Sequence, residues 1–120
     1  MLKPNVLRND KDFKTIYKKG KSVGERYVVL FYKRNGLPYN RTAFLASKKV
    51  GNSVVRNRAR RLLKESYREL EESLKTGYDI IIIARNTIVG LKCGDVKKSL
   101  ESAFKKSKLI NQKSKQAEAD

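Results

Sequence analysis

The sequence predicts an α+β protein: one sheet with helices packed mainly on one of its faces, a two-layer sandwich. Three observations predict it. Val55, Ala59, Leu62, Leu63, Ser66, Leu70 and Leu74 recur at helical period along residues 54–75. Residues 78–85 (YDIIIIAR) form an unbroken apolar run of strand length, which requires burial on both faces or nearly so. Two runs rich in Val, Tyr and Phe precede the long helix, and an amphipathic segment follows the Ile run.

The elements follow in order. Asp10 is placed to cap a short helix running to about residue 19, with Phe13, Ile16 and Tyr17 on one face and Gly20 to end it. Those three side chains are either core or the wall of a groove; periodicity alone favours core. Residues 20–25 can add a short strand. Residues 26–34 (RYVVLFYKR) read as a strand, residues 35–38 (NGLP) as a turn, and residues 41–49 (RTAFLASKK) as a return strand expected to pair antiparallel with the first. Gly51-Asn52-Ser53 supplies a break and a cap for the long helix, which Gly77 ends. Gly94-Asp95 caps a last helix over residues 96–106, with Val96, Leu100, Ala103 and Phe104 turned inward. The fold is expected to occupy about residues 8–107 of a single domain spanning 1–120, with 108–120 a disordered, lysine-rich tail. No internal repeat is present.

Charge narrows the function. Lys and Arg number 29 against 12 acidic residues, a net +17 in 120 residues. A domain this basic repels itself unless a polyanion neutralises it. Nucleic acid fits, because each cation set on a phosphate releases a condensed counterion; on charge alone an anionic membrane surface fits too. The chain contains no His, which closes Ser-His, Cys-His and His-metal chemistry to it. Cys93 is the single cysteine, so neither an internal disulfide nor a cysteine metal cluster can form, in keeping with a reducing cytoplasm. Residues 1–12 carry no apolar signal-peptide segment, and the apolar run of residues 80–84 is far too short to span a bilayer. Glu69, Glu71 and Glu72 read as a solvated helix face, and nothing else resembles the converging carboxylates of a two-metal nuclease. No catalytic residue is therefore assigned, and metal binding by the protein itself is left open.

The informative segment is residues 48–68, KKVGNSVVRNRARRLLKESYR, with eight cations against one acid, Glu65. At about 100° per residue, Arg56, Arg60, Lys64, Asn57, Arg68 and Arg61 share an arc of about 140° beside the apolar stripe, while Arg58 falls on its far side. The helix would dock by its Leu face and present a ladder of cations. Arginine forks hold phosphate oxygens or base edges in fixed geometry, and Asn57 can donate and accept. The free N–H groups near Gly51 to Ser53 offer a further phosphate site. Cations crowd the N-terminal half of the helix, where its dipole favours anions. That placement opposes stability and points to a polyanionic ligand.

This segment resembles the signature of the bacterial ribonuclease P protein component, in which a lysine pair and Gly-Asn precede an Arg-Asn-Arg that opens a long helix. The resemblance covers nearly the whole chain: Phe13, Tyr17 and Gly20 match the family's first helix, Asp79 to Arg85 its Ile-rich strand, and residues 96–106 its closing helix. Arg60 and Lys64 exchange the family's usual lysine and arginine, Ala43 stands where glycine is frequent, and Tyr17 replaces a frequent phenylalanine. The resemblance implies a four-stranded sheet with three helices, a ribosomal-protein-like fold with a left-handed β-α-β crossover that breaks the usual rule. It implies that Lys48, Lys49, Asn52, Arg56, Asn57, Arg58, Arg60, Arg61, Lys64 and Arg68 bind a catalytic RNA. It also implies that Phe13, Tyr17 and Phe31 receive the single-stranded 5′ leader of precursor tRNA. The reaction implied is Mg²⁺-dependent hydrolysis of one phosphodiester bond in the cytoplasm, the RNA holding the metal, with neither a membrane nor an obligate protein partner involved.

Three other readings fit parts of the sequence. A ribosomal protein or assembly factor shares the composition but not the Gly-Asn and Arg-Asn-Arg signature. A membrane-surface binder needs exposed apolar anchors, whereas the long helix needs its Leu face for the core. A self-sufficient protein nuclease lacks the His residues or clustered carboxylates for its chemistry.

Overall fold

The most apolar segment of the chain takes the centre of the sheet. The computed structural model describes residues 5–110. Its elements are α1 (Asp10–Lys19), β1 (Lys21–Gly24), β2 (Val28–Arg34), β3 (Arg41–Ala46), α2 (Ser53–Leu70), β4 (Tyr78–Ala84) and α3 (Cys93–Ser107). The sheet order is β1-β2-β4-β3. β4 lies antiparallel to β2 and parallel to β3, and Ile80, Ile81 and Ile82 are wholly buried.

This order corrects one expectation: β2 and β3 do not pair, because β4 is inserted between them. A strand apolar on both faces gains most by having neighbours on both edges and cover on both sides. Asn40, after the turn, helps seat it: its side-chain oxygen accepts from the Tyr78 N–H at 2.8 Å, and its Nδ2 donates to the Lys75 carbonyl at 2.8 Å. β3, α2 and β4 thus form the parallel β-α-β unit that a crossover requires.

Strand alternation divides the side chains between two faces. Val28, Leu30, Ala46, Ile80, Ile82 and Ala84 pack under α2 and α3, against Ala59, Leu63, Leu70, Val96, Leu100 and Phe104. Tyr67, which the apolar stripe did not include, also turns inward, with its ring 5.5 Å from Phe44 and 6.2 Å from Phe104. On the other face, Ala43 and Ile81 meet Ile16 of α1 and Leu7, bordered by Phe13, Phe31, Leu45 and Ile83. α1 therefore lies opposite α2 and α3 and covers only part of its face.

Several boundaries shift. Asn9, not Asp10, caps α1, accepting from the Lys11 N–H at 2.8 Å. α2 gives way to a 3₁₀ turn at Glu71–Ser73, short of Gly77. α3 begins at Cys93, where the Asp95 carboxylate accepts from the Lys92 N–H at 3.4 Å. β2 and β3 are shorter than the runs that predicted them. Leu109 and Ile110, expected in the tail, are buried: the Leu109 carbonyl accepts from the Lys75 N–H at 2.7 Å, and Ile110 pairs with Leu74. The rest of the expected tail lies outside the described residues.

An ion pair on the buried Asp79 carboxylate lies where α1 meets the sheet. Asp79 accepts from Arg41 Nε at 2.7 Å, from Arg41 Nη2 at 2.6 Å and from Asn35 Nδ2 at 3.0 Å. The same guanidinium reaches Asp12 of α1 at 3.5 Å. Removing one partner of such a pair leaves the other desolvated and unpaired. Asp79→Ala is expected to cost about 3 kcal/mol, read as a lower urea midpoint at unchanged slope; an unchanged midpoint would remove the pair from the account.

Burial of Tyr67, then the Glu71 carboxylate, push its phenol up to about 12, against a lowering contribution from Asn40. The unfolded phenol titrates near its ordinary value of about 10. This contribution to stability is therefore complete below about pH 10 and lost as pH rises through the folded value. Tyr67→Phe is expected to lessen the fall in stability between about pH 9 and about pH 11.5; an equal fall in both proteins would contradict the assignment.

Candidate nucleic-acid interface

Two surfaces flank the sheet. The first is built by the start of α2. Its cap is Asn52, whose side-chain oxygen accepts from the Val55 N–H at 3.0 Å. Gly51 makes this entry possible: at φ +152° a Cβ would stand 2.9 Å from the Val55 side chain. Lys48 and Lys49 are exposed on the turn that carries β3 into α2.

Asn57, Arg60, Arg61 and Lys64 line one shallow depression together with Val54. Arg60 donates to the Asn57 side-chain oxygen, so its fork is held in place. Arg56 is half-buried, and its Nε is buried without a hydrogen-bond partner. Arg68 is exposed a turn beyond Lys64. Among the described residues, no cation of this ladder pairs with a carboxylate; the ion pairs present involve Arg41, Lys97 and Lys106. The first turn of α2 contains no acid. The ladder is thus a set of uncompensated charges on a rigid helix.

Arg58 stands apart from this group, as its helical angle requires. It lies beside an apolar cleft formed by Val55, Ala59, Leu62, Ile88 and Val89, and its Nη2 donates to the Leu91 carbonyl at 3.4 Å.

The second surface lies on the α1 side of the sheet. The three residues of the α1 face divide: Ile16 is 1% exposed and belongs to the core, whereas Tyr17 is 43% exposed. Phe13 is half-buried between them and the sheet. Tyr17 meets Phe31 of β2 edge-on at 4.9 Å, and Phe13 lies 6.4 Å from Tyr17. Ile16 thus belongs to the core, as periodicity favours, while Tyr17 stands exposed at its border. Leu45 and Ile83, which share the face of Phe31, extend the apolar floor. Strand alternation marks them as alternating residues, but the strand order needed to place them beside Phe31 is not legible in sequence.

The two surfaces meet at the β3 edge. A groove there is lined by Leu7, Phe13, Phe44, Leu45 and also Lys64 of α2. The N-terminal segment closes part of this edge: the Leu7 N–H donates to the Thr42 carbonyl, and the Thr42 N–H to the Asn5 carbonyl, each at 2.9 Å. Aromatic faces on one side and a cation ladder on the other suit an unpaired polynucleotide passing from one to the other.

Among the described residues, no three His, Cys, Asp or Glu side chains are grouped to hold a metal ion. The buried carboxylate of Asp79 is committed to Arg41 and Asn35. No helix among these residues is long and apolar enough to cross a membrane.

Residues 1–108 match the family model described as Ribonuclease P. The chain is 45% identical over 107 residues to the ribonuclease P protein component of Alkaliphilus oremlandii, covering 89% of this chain and 94% of that one. It is 42% identical over 111 residues to that of Clostridium botulinum strain Langeland, covering 92% and 100%. Among solved structures, the RNase P protein of Staphylococcus aureus superposes with a TM-score of 0.81 at 33% identity, covering 91% of this chain and 100% of the other. That of Thermotoga maritima gives 0.76 at 29%, covering 83% and 94%. By sequence and by fold, the chain belongs to the Ribonuclease P family.

Proposed function

We propose that this chain is the protein subunit of a cytoplasmic bacterial ribonuclease P, acting with a catalytic RNA to remove the 5′ leader of precursor tRNA. One observation carries the reading: an unpaired cation ladder on α2 and an aromatic cleft under α1 join in one groove at Lys64 and Phe13.

In this reading α2 docks on the catalytic RNA. Arg56, Arg60, Arg61, Lys64 and Arg68 set cations on its phosphates, Asn57 holds the Arg60 fork, and Lys48, Lys49 and the Asn52 amide extend the contact at the helix entry. Arg58 contributes from the other side of the Leu stripe. The leader lies in the cleft, its bases against Phe13, Tyr17 and Phe31. Stacking of this kind tolerates any base, which suits a leader of variable sequence. By neutralising phosphates on both sides, the protein lowers the repulsion between two RNAs. Mg²⁺ supplies the chemistry of hydrolysis on the RNA, and no side chain of this protein acts as nucleophile or general base.

The two surfaces can be separated by substitution. Arg56→Ala with Arg60→Ala is expected to weaken binding to ribonuclease P RNA and to reduce the salt slope by about 2, one counterion for each lost contact. Tyr17→Ala is expected to leave that assembly intact and to weaken leader binding by about 1–3 kcal/mol. Filter binding over a range of salt reads both. Unchanged RNA affinity in the arginine variant, or equal losses of both kinds in both proteins, would overturn the assignment.

A further inference from the structure

The core leaves the apolar cleft beside Arg58 open. Val55, Ala59 and Leu62 of α2 form one wall, and Ile88, Val89 and Gly90, after β4, form the other, around a volume of about 330 Å³. Ala59 and Ile88 are buried, whereas Val54 and Val89 are 74% and 52% exposed. Among the described residues four large hydrophobic side chains are exposed, and two of them border this one cleft. A single exposed valine is ordinary; a concentration of apolar surface around one recess marks a place that binds.

The backbone shapes the far wall. Gly90, at φ +84°, takes a conformation that favours glycine, and the Leu91 N–H donates to the Ile88 carbonyl at 3.2 Å. The Leu91 carbonyl in turn accepts from Arg58 Nη2 at 3.4 Å. The guanidinium is thereby held beside the cleft, and among the described residues it pairs with no carboxylate.

The surroundings of the cleft indicate its ligand. Val54 lines both the cleft and the depression of Asn57, Arg60, Arg61 and Lys64, so the two are contiguous across one side chain. No Asp or Glu lines either. A polymer whose anionic groups lie on the ladder therefore meets an apolar recess immediately beside it. RNA brings both chemistries in each repeat, a phosphate and a flat base. Unpaired bases are recognised by being splayed out onto apolar or aromatic side chains and onto guanidinium planes.

We propose that this cleft receives one unpaired base of the RNA docked on α2, between Val54 and Val89 and against the Arg58 guanidinium. The proposal rests on the reading of α2 as the RNA-docking helix and adds to it. Phosphate contacts hold the RNA, whereas a base in the cleft decides which nucleotide lies there.

The test uses Val54→Ala with Val89→Ala and a bacterial ribonuclease P RNA. Both side chains are exposed, and alanine favours a helix over valine at position 54, so the fold is spared. The expected result is a loss of roughly 5- to 10-fold in RNA affinity. The salt slope stays unchanged, because an apolar contact releases no counterion. Footprinting with dimethyl sulfate and a carbodiimide, which read base edges, is expected to find an unpaired nucleotide that the unaltered protein protects and the valine variant leaves reactive. Undiminished affinity, a loss accompanied by a lower salt slope, or base protection that is absent or identical in both proteins would each overturn the proposal. Arg56→Ala with Arg60→Ala in the same titration keeps the two readings apart. If that variant loses neither affinity nor salt slope, the docking of α2 falls; if it loses both while the valine variant loses nothing, only the cleft assignment falls.

Discussion

β4 is apolar on both faces, and covering it decides where the rest of the chain goes. With Ile80, Ile81 and Ile82 wholly buried, the strand needs a neighbour on each edge and a layer above and below. α2 and α3 cover one side with a full helical layer. α1 covers the other side only in part, through Ile16, and Asp12 reaches the Arg41–Asp79 pair at 3.5 Å. The incomplete cover leaves Phe31, Leu45 and Ile83 half-exposed and so creates the cleft. The apolar surface beside α1 is thus a consequence of how the core is closed.

The same arrangement sets the charge. The Leu face of α2 is consumed by the core, so its remaining arc must carry whatever recognises a partner. That arc holds cations at the end of the helix where the dipole opposes them, and no acid in the first turn relieves the conflict. A folded chain with these uncompensated cations repels itself until a polyanion neutralises them.

Local signals made most elements legible in the sequence: the helical stripe of α2, the Ile run of β4, and Gly20 and Gly51 at element ends. The Arg and Lys ladder was legible too, because helical period fixes which side chains share a face; Arg58 falls where that period places it. Strand order was not legible from the residues. Two successive strands separated by a turn read as a hairpin, and only the long-range demand of β4 for two neighbours separates β2 from β3. For the same reason, periodicity could not divide Ile16 from Phe13 and Tyr17, since the division depends on how far α1 extends over the sheet. Tyr67 was missed because it sits at the border of the stripe, where only the rings of Phe44 and Phe104 decide that it turns inward. Leu109 and Ile110 were hidden by the lysines around them.

The central claim is that this chain assists an RNA catalyst and does no bond-breaking itself. The most direct measurement is cleavage of precursor tRNA at low Mg²⁺ by a bacterial ribonuclease P RNA, with and without the protein, alongside the protein alone. The account predicts that the protein stimulates cleavage at the mature 5′ end and is inert without the RNA. Tight RNA binding without stimulation at any salt concentration, or cleavage by the protein alone, would contradict it.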